Sequence, residues 1–472
     1  MESLQKLIIP RLFFPFFFFF FFFFIIIINL QPSLPFSPTD HYLLNCGSHA
    51  NTILDNREFI ADTSIPRSII KFSTNPKISV QDRTNQSPLY STARVFTSPS
   101  RYEFQIKKSG THLVRLHFSP FNSAKFNLFD AQFGVSVNGF TLLSNLDLKS
   151  NSSNSVDLKE FLIWVDGGRA LVVLFSPSKW SFGYVNAIEI ISAPEDLIGD
   201  TARFVGSDGI GDFKLVTRQA LESVYRINVG GALVTPFNDS LWRTWIPDDG
   251  FLKLKSAAKR VSFSGQIKYR LGGASREVAP DNVYNSARVF NDSNVSSSNF
   301  NVTWVLPVKS GCRYLVRMHF CDIASKALNL LYFNVYINGY LAYEDLDLSE
   351  LTDRLLASPF YADFVVDAGT STVLDVSIGG SSLSSPDRIN GILNGLEVWK
   401  LNSTIYSLSE TVSVDSVQDQ HSGKIGLFMP AVAIMSFLVA ASLFMRRRFK
   451  LKDSLAWSSE SGSKHENQPL VR

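Results

Sequence analysis

Neighbouring carboxylates are the residues of this 472-residue sequence that could catalyse a reaction. Asp248 is followed by Asp249, and Glu344 and Asp345 closely precede Asp347. Glycoside hydrolysis needs two carboxyl groups that face each other across a cleft, one of them with a raised pKa. Consecutive residues of a strand point to opposite faces, and in a turn both are solvated. The spacing therefore favours solvated turns, and an enzyme that cleaves glycans is the alternative.

The segment Leu241–Phe251 holds the residues that could bind a ligand. Trp242 and Trp245 flank Arg243 among turn-forming residues. Aromatic faces offer apolar contact to sugars, and an arginine pairs with the carboxylates of acidic glycans or peptides. The alternative is that both tryptophans pack in the interface between two domains. The candidate ligand-binding residues are Trp242, Arg243, Trp245, Asp248 and Asp249.

Histidines are spaced for a structural role. The seven His and three Cys are dispersed without close ligand spacing, so we expect no metal site and no cofactor. His117 and His319 stand at equivalent positions of a repeat described below. An active site normally arises once, so this equivalence favours a repeated structural function.

Cys312 and Cys321 lie in one predicted strand. Nine residues of extended chain span about 30 Å, whereas a disulfide needs Cα atoms within about 7 Å, so a straight strand forbids their pairing. Cys46 could pair with one of them across domains, or all three could be buried thiols. We favour buried thiols, because an odd number of cysteines leaves one free in any case.

Four motifs occur twice in the same order, which indicates a tandem duplication. Each copy is too long for a solenoid repeat. The motif pairs are Tyr90–Phe96 with Tyr284–Phe290, Val114–Phe118 with Val316–Phe320, Phe133–Phe140 with Phe333–Tyr340, and Val185–Ile190 with Leu393–Val398. We expect one domain at 40–195, a second at 221–400 and a linker at 196–220.

Within each copy the hydrophobic pattern has a period of two. Thr111–Phe118 and Tyr314–Phe320 alternate apolar with polar side chains. Asn138 and Asn338, each followed by glycine, end two further alternating runs, and Asn-Gly is the strongest short hairpin signal. The pattern predicts an all-β protein built of two tandem antiparallel β-sandwiches.

Two apolar segments predict where these domains are located. Leu12–Ile28 follows Lys6 and Arg11, an arrangement typical of a secretory signal peptide, which we place at 1–31. The run is long for such a signal and lacks a visible small-residue cleavage site, so an uncleaved signal anchor is the alternative. In both cases the chain that follows is translocated.

The second apolar segment, Ile425–Met445, predicts a transmembrane helix. It carries no charge and is long enough to cross about 30 Å of hydrocarbon. Arg446, Arg447 and Arg448 follow at once, which places the tail 446–472 in the cytosol. We expect a single-pass plasma-membrane protein with extracellular N-terminal domains, a stalk at 401–424 and a short disordered tail. The net charge of +3 comes from this tail, so no nucleic-acid partner is expected.

Acceptor motifs for N-glycosylation lie between the two apolar segments. Their position agrees with an extracellular location, although each motif alone is weak evidence. The candidate asparagines are Asn85, Asn151, Asn238, Asn291, Asn294, Asn301 and Asn402.

Several motifs in a fixed order give the region 40–400 a specific resemblance. They are Tyr42–Ser48, the two Tyr-x-x-Ala-Arg-Val-Phe repeats at Tyr90 and Tyr284, Tyr225–Gly231, Leu241–Asp249 and Cys312–Asp322. Together they resemble the malectin-like ectodomains of plant receptor kinases of the FERONIA/THESEUS class. The resemblance also includes the single membrane span.

The resemblance implies a function at the cell surface. It implies two packed malectin-like β-sandwiches that bind a wall polysaccharide such as pectin, or a secreted rapid alkalinisation factor peptide. It also implies a LORELEI-type glycolipid-anchored co-receptor and kinase-bearing relatives as partners. The carbohydrate-binding aromatic cluster of animal malectin cannot be traced here residue by residue, so carbohydrate binding is implied by fold alone.

A kinase domain is the part of the family pattern that this sequence lacks. The Val-Ala-Ile-Lys, His-Arg-Asp and Asp-Phe-Gly motifs that phosphoryl transfer needs do not occur. We therefore expect a receptor-like protein that is not an enzyme. The alternatives are an incomplete gene for a receptor serine/threonine kinase and an extracellular enzyme acting on wall glycans.

Overall fold

The computed structural model describes residues 36–66, 68–73, 77–82, 87–147, 156–290, 301–384 and 391–401, which are almost entirely β-strand and connecting turn. The strands of the first copy are β1 (His41–Asn45), β2 (Thr52–Leu54), β3 (Arg57–Ala61), β4 (Ile70–Ser73), β5 (Ile78–Gln81), β6 (Thr92–Phe96), β7 (Ser100–Gln105), β8 (Gly110–Phe118), β9 (Gln132–Val137), β10 (Phe140–Asp147), β11 (Asp157–Val165), β12 (Ala170–Pro177), β13 (Gly183–Val185) and β14 (Ala187–Ser192).

The second part of the chain is built in the same way. Its strands are β15 (Thr201–Gly206), β16 (Gly209–Lys214), β17 (Leu221–Asn228), β18 (Ile246–Pro247), β19 (Ala258–Ser262), β20 (Ser286–Phe290), β21 (Asn301–Pro307), β22 (Arg313–Cys321), β23 (Tyr332–Ile337), β24 (Tyr340–Asp347), β25 (Pro359–Asp367), β26 (Val373–Gly380), β27 (Ile392–Leu393) and β28 (Gly395–Leu401). The described residues of this part also form two single-turn α-helices, α1 (Asp281–Tyr284) and α2 (Leu348–Leu351).

One large sheet runs through both copies. Its strand order is β16-β15-β25-β22-β28-β17-β11-β8-β14-β1-β3-β2, and β18 pairs with β17. The copies meet where β11 pairs antiparallel with β17, with Phe161 opposite Glu222 and Leu162 opposite Leu221. The backbone hydrogen-bond network therefore crosses from one copy to the other.

Each copy has a second sheet, and equivalent strands occupy it. The order is β10-β9-β12-β7-β4 in the first copy and β24-β23-β26-β21 in the second. Between the sheets lie two apolar cores, one containing Phe118 and Phe133 and the other Phe320 and Phe333. Strands β9 and β23 bury every second side chain, as the period of two predicts. The all-β prediction is confirmed.

The two Asn-Gly pairs form the predicted hairpin turns. Asn138 and Asn338 have φ of 47° and 51°, and the glycine after each is also left-handed. They join β9 to β10 and β23 to β24. Positive φ at both central residues gives the turn a twist that matches its strands.

The segment 196–220, predicted as a linker, contains the hairpin β15–β16. Strand β15 pairs in parallel with β25, with Arg203 opposite Phe364 and Phe204 opposite Val365. The guanidinium of Arg313 lies 5.6 Å from the Phe204 ring and 5.5 Å from that of Phe213. The hairpin thus extends the large sheet. The sequence did not predict these strands, because the glycines and aspartates of this segment are typical of a linker.

The predicted signal peptide, transmembrane segment and cytosolic tail lie outside the described residues. Within the described ranges, no helix is long and apolar enough to cross a membrane. Asn238 and Asn301 are exposed, and the other candidate glycosylation sites lie outside the described residues.

Candidate functional site

Histidines of the two copies sit in matching hydrogen-bonded clusters. His117 Nδ1 lies 3.0 Å from the Tyr90 hydroxyl, and its Nε2 lies 3.0 Å from Glu189. In the second copy, His319 makes the same pair of contacts, at 3.0 Å to Tyr284 and 3.1 Å to Glu397. The predicted repeated structural role of the histidines is confirmed.

Two buried arginines stand opposite acids on neighbouring strands. Arg115 on β8 donates through Nε to Glu160 on β11 at 2.7 Å. Its counterpart Arg317 on β22 forms a bidentate pair with Asp363 on β25, both distances being 2.7 Å. All of these side chains are at least nine-tenths buried. A buried charge is tolerated only when it is paired, which explains the duplication of the pair.

The network of the first copy continues into the second. Arg226 on β17 donates through Nη2 to Glu160 at 2.7 Å and through Nε to Glu397 at 2.8 Å. Arg115 in turn donates through Nη2 to the Leu241 carbonyl of the second copy at 2.8 Å. The junction between the copies is therefore a chain of buried ion pairs.

The acids of this chain are held ionised. Burial alone would raise the pKa of Glu160, but the charges of Arg226 and Arg115 outweigh it and lower the pKa to about 2. Burial opposes ionisation of Glu397 as well, and the His319 hydrogen bond and Arg226 lower its pKa to about 2. A general acid needs a pKa near the working pH, so neither residue suits proton donation at neutral pH.

Asp248, predicted as a ligand-binding candidate, is fully buried and structural. It accepts hydrogen bonds from Gly230 N–H at 3.1 Å, Arg288 Nε at 3.0 Å and Trp304 Nε1 at 3.0 Å. With its four acceptor positions largely used inside the protein, its carboxylate has no surface exposed to a ligand.

Asp62 has the same role in the first copy as Asp248 in the second. It accepts from Gly47 N–H at 3.2 Å, from Arg94 Nη2 at 2.6 Å and from the Tyr102 hydroxyl at 2.9 Å. The glycine is required because a Cβ at Gly47 or Gly230 would lie 2.3 or 2.2 Å from a backbone oxygen. Arg94 and Arg288, the arginines of the two Tyr-x-x-Ala-Arg-Val-Phe motifs, therefore stabilise the fold in the same way in both copies.

Arg243 and Trp245, two further candidate ligand contacts, are also buried. Both side chains converge on Asp239, Arg243 Nε at 2.9 Å and Trp245 Nε1 at 2.9 Å. Arg243 also donates to the carbonyls of Glu277 and Val278, at 2.6 and 3.1 Å. These contacts fix the irregular segment after β17 inside the second copy.

The alternative, that the tryptophans pack between domains, is correct for Trp242 only. Its ring stacks on His41 with centroids 5.3 Å apart, and the Arg57 guanidinium lies 5.3 Å from it. Both partners belong to the first copy. Trp245 packs instead in a core of the second copy, with Tyr284 among others.

Of the remaining acidic candidates, Asp249 lies in a turn, whereas Glu344, Asp345 and Asp347 lie at the end of β24, where the sequence predicted a solvated turn. The Asp249 side chain is 44% exposed, pairs with Arg288 at 2.9 Å and also contacts Arg260. Asp347 caps α2 by accepting from Ser349 N–H at 2.8 Å. Among the five candidate ligand-binding residues, Asp249 and half-buried Trp242 retain accessible surface.

Three cysteines are free and buried, as the favoured interpretation of the sequence had it. Burial raises the pKa of the Cys46 thiol and that of Cys321. A thiol with a raised pKa is a poor nucleophile and a poor metal ligand. Among the described residues, no cluster of three or more His, Cys, Asp or Glu could hold a metal ion.

An open cleft at one end of the first copy was not anticipated from the sequence. Its volume is about 550 Å³, and Trp164, Lys108 and Glu195 are among the residues that line it. Lys108 and Glu195 form an exposed ion pair at 2.7 Å. The lining comes from separate strand ends, so local sequence patterns carry no signal for it.

The described residues form a duplicated β-sandwich in which buried, ionised acids at repeated positions hold the strands together. The chain belongs to the malectin-like family, since the Malectin-like domain matches residues 44–401. The resemblance drawn from the sequence motifs is confirmed.

Curated relatives are receptor-like protein kinases. THESEUS 1 of Arabidopsis thaliana is 41% identical over 393 residues, covering 82% of this chain and 45% of that protein. HERK 1 of the same plant is 37% identical over 445 residues, covering 92% of this chain and 52% of that protein. The chain spans about half the length of the curated relatives it matches.

Solved structures similar to this chain are ectodomains. The ANXUR1 extracellular domain from Arabidopsis thaliana is 28% identical, with a TM-score of 0.67 over 77% of this chain and 97% of that one. A chain in the complex of the plant peptide RALF23 with FER and LLG2 is 31% identical, with a TM-score of 0.67 over 80% of this chain and all of that one.

Proposed function

We propose that this protein is a cell-surface malectin-like receptor-like protein of plants. Its two sandwiches lie outside the plasma membrane, and the segment 425–445 anchors them by a single span. The apolar, uncharged composition of this segment and the arginines that follow it support this topology. So do the relatives, which are named as receptor-like kinases.

The ligand that we propose is a secreted peptide of the rapid alkalinisation factor class, bound together with a LORELEI-type anchored co-receptor. The observation that carries this proposal is the 31% identity and full coverage of a chain in the complex of RALF23 with FER and LLG2. A wall polysaccharide is the second candidate ligand, supported by the malectin-like fold alone.

Signalling proceeds through partners in this proposal. Binding is transmitted by changing which kinase-bearing relatives the protein keeps at the membrane, a proposal supported by the curated relatives, which are receptor-like kinases. A second candidate function is the ligand-binding half of a receptor kinase. The coverage of about half of each relative favours that candidate.

Overexpression of the intact protein tests the competition mechanism. We expect it to reduce the response of cells to a peptide of this class, because ligand and co-receptor are withdrawn from kinase-bearing relatives. Removal of 454–472, with the basic run Arg446–Lys452 kept, should leave this reduction unchanged. If overexpression leaves the response to the peptide unaltered, the competition mechanism is contradicted. If removal of 454–472 abolishes the reduced response, the tail binds a partner.

A further inference from the structure

Strand β16 is the last strand of the large sheet, and its outer edge is open. Its only strand partner among the described residues is β15. The two strands join through the two-residue turn Ser207–Asp208, with Gly206 opposite Gly209. In such a hairpin the pair that closes the turn is hydrogen-bonded, and hydrogen-bonded pairs alternate along the strands.

That alternation fixes which backbone groups of β16 point outward. Gly211, opposite Phe204, and Phe213, opposite Ala202, direct their N–H and C=O groups toward β15. Ile210, Asp212 and Lys214 direct theirs away from the sheet. No backbone hydrogen bond involves these three residues within the described part of the chain.

The outward edge is accessible and suited to pairing. Every residue of β16 except half-buried Phe213 is exposed, and Ile210 has 49% of its surface accessible. No proline interrupts the strand. An edge of this kind offers a template to another strand, unless charges or bulges oppose it.

We propose that β16 pairs antiparallel with β16 of a second copy of this protein, about a twofold axis at Phe213. Asp212 of each copy then stands opposite Lys214 of the other. Both residues direct backbone groups outward, so each such pair exchanges two backbone hydrogen bonds. The two Phe213 side chains meet across the axis as a non-hydrogen-bonded pair, where cross-strand side chains are closest.

Charge selects this register over its neighbour. Moving the axis to Asp212 would set the two Asp212 carboxylates opposite each other and would leave Lys214 opposite Ile210. Like charges directly opposite destabilise a strand pair, and opposite charges stabilise it. In the register about Phe213, Asp212 and Lys214 of one copy are thus complementary to Lys214 and Asp212 of the other.

The contact is small. Pairing ends at Leu215, which has a left-handed φ of 62°, and the N–H of Val216 is already bonded to the Asp200 carbonyl. A contact of this few residues buries much less than the roughly 1,200 Å² of a stable interface. The association between free molecules is therefore weak. Its occupancy at the cell surface rests on the proposed membrane anchor, which raises the local concentration. The pairing itself does not depend on that proposal.

Disulfide trapping of the full chain tests the pairing. Phe213→Cys, treated with a mild copper-based oxidant, should yield a disulfide-linked dimer on non-reducing electrophoresis, because Cα atoms of such a pair lie about 4.5 Å apart. The native cysteines are buried and provide little background. The matched control is Phe204→Cys, on the same face but one strand further in, where the twofold partner is beyond disulfide reach. Equal dimer yields from both variants, or none from a secreted, folded Phe213→Cys protein, would overturn the proposal.

A charge exchange tests the register independently. Added to Phe213→Cys, Lys214→Asp creates two like-charged pairs and should lower the dimer yield by about tenfold. Addition of Asp212→Lys to that variant restores opposite charges and should restore the yield. Both residues are exposed, so neither change affects the core. If the Asp212→Lys change does not restore the dimer yield, the proposed register is wrong. If the trapped species contains a shorter peptide and not a second copy of this chain, the choice of partner is wrong.

Discussion

Arg226 of the second copy and Glu160 of the first are joined by a buried ion pair of 2.7 Å between Nη2 and Oε1. Glu160 also accepts from Arg115, and Arg226 also donates to Glu397. The acids that are fixed within each copy are therefore linked across the boundary. This linkage, with the β11–β17 pairing, makes the two sandwiches of the ectodomain one body.

Loss of Arg226 should destabilise the ectodomain strongly. Arg226→Ala leaves two carboxylates buried with fewer partners, and breaking a buried pair from one side costs about 3–5 kcal/mol of unfolding free energy. Urea unfolding followed by tryptophan fluorescence measures the change. Arg260→Ala is the matched control, because its pair with Asp249 is exposed and is worth about 1 kcal/mol or less. Equal effects of the two changes would contradict the structural role of the junction.

Acid should weaken the folded protein over a defined range of pH. Glu160 and Glu397 have pKa values of about 2 when folded, below the ordinary value of 4.5. A depressed pKa contributes stability that is fully present above the ordinary value and is lost as the pH falls toward the folded one. We expect the unfolding free energy to fall between about pH 5 and pH 2, and to fall less steeply in Glu160→Gln. An unchanged slope in that variant would assign the acid sensitivity to other groups.

Gly230 should not tolerate a side chain. Its φ is 72°, and a Cβ would lie 2.2 Å from the Ala287 carbonyl oxygen. Gly230→Ala should therefore cost more than the about 1–2 kcal/mol of left-handed strain alone. Gly272 has a φ of 77° with open space around a Cβ, so Gly272→Ala should show the strain by itself. Thermal unfolding of both variants checks the difference, and equal melting temperatures would show that the close approach is absent.

The ectodomain should bind without turnover. Incubated with wall oligosaccharides, the protein should release no new reducing ends, because the acids that could act in pairs are buried or solvated. Asp249→Asn tests the exposed acid without disturbing the core. If the unmodified protein releases reducing ends continuously and Asp249→Asn abolishes that release, the protein is an enzyme and not a binding module.

Local patterns predicted the elements of the fold, whereas partners distant in sequence determined the role of each site residue. The Asn138-Gly139 turn and the alternation of β9 are encoded in a few consecutive residues. The burial of Asp248 depends on Arg288 and Trp304, which come from other strands. One signal was present in the sequence. The arginine of each Tyr-x-x-Ala-Arg-Val-Phe motif needs an acid, and its repetition indicated an acid in each copy.

The hairpin β15–β16 shows a second limit of predicting this fold from its sequence. Glycines at 206, 209 and 211 lower the strand propensity of this segment, and its alternation is weak. It forms because β25 of the second copy offers an edge for β15. Because this pairing depends on a strand that lies later in the chain, the sequence of the hairpin alone does not predict it.

Direct binding tests the central claim that the sandwiches recognise a secreted peptide together with an anchored co-receptor. The measurement is a calorimetric titration of the purified protein with a peptide of the rapid alkalinisation factor class, with and without a LORELEI-type co-receptor, and with a scrambled peptide as control. The account predicts saturable binding that the co-receptor tightens and that the scrambled peptide lacks. No binding of the peptide to the folded protein, with or without the co-receptor, would contradict it.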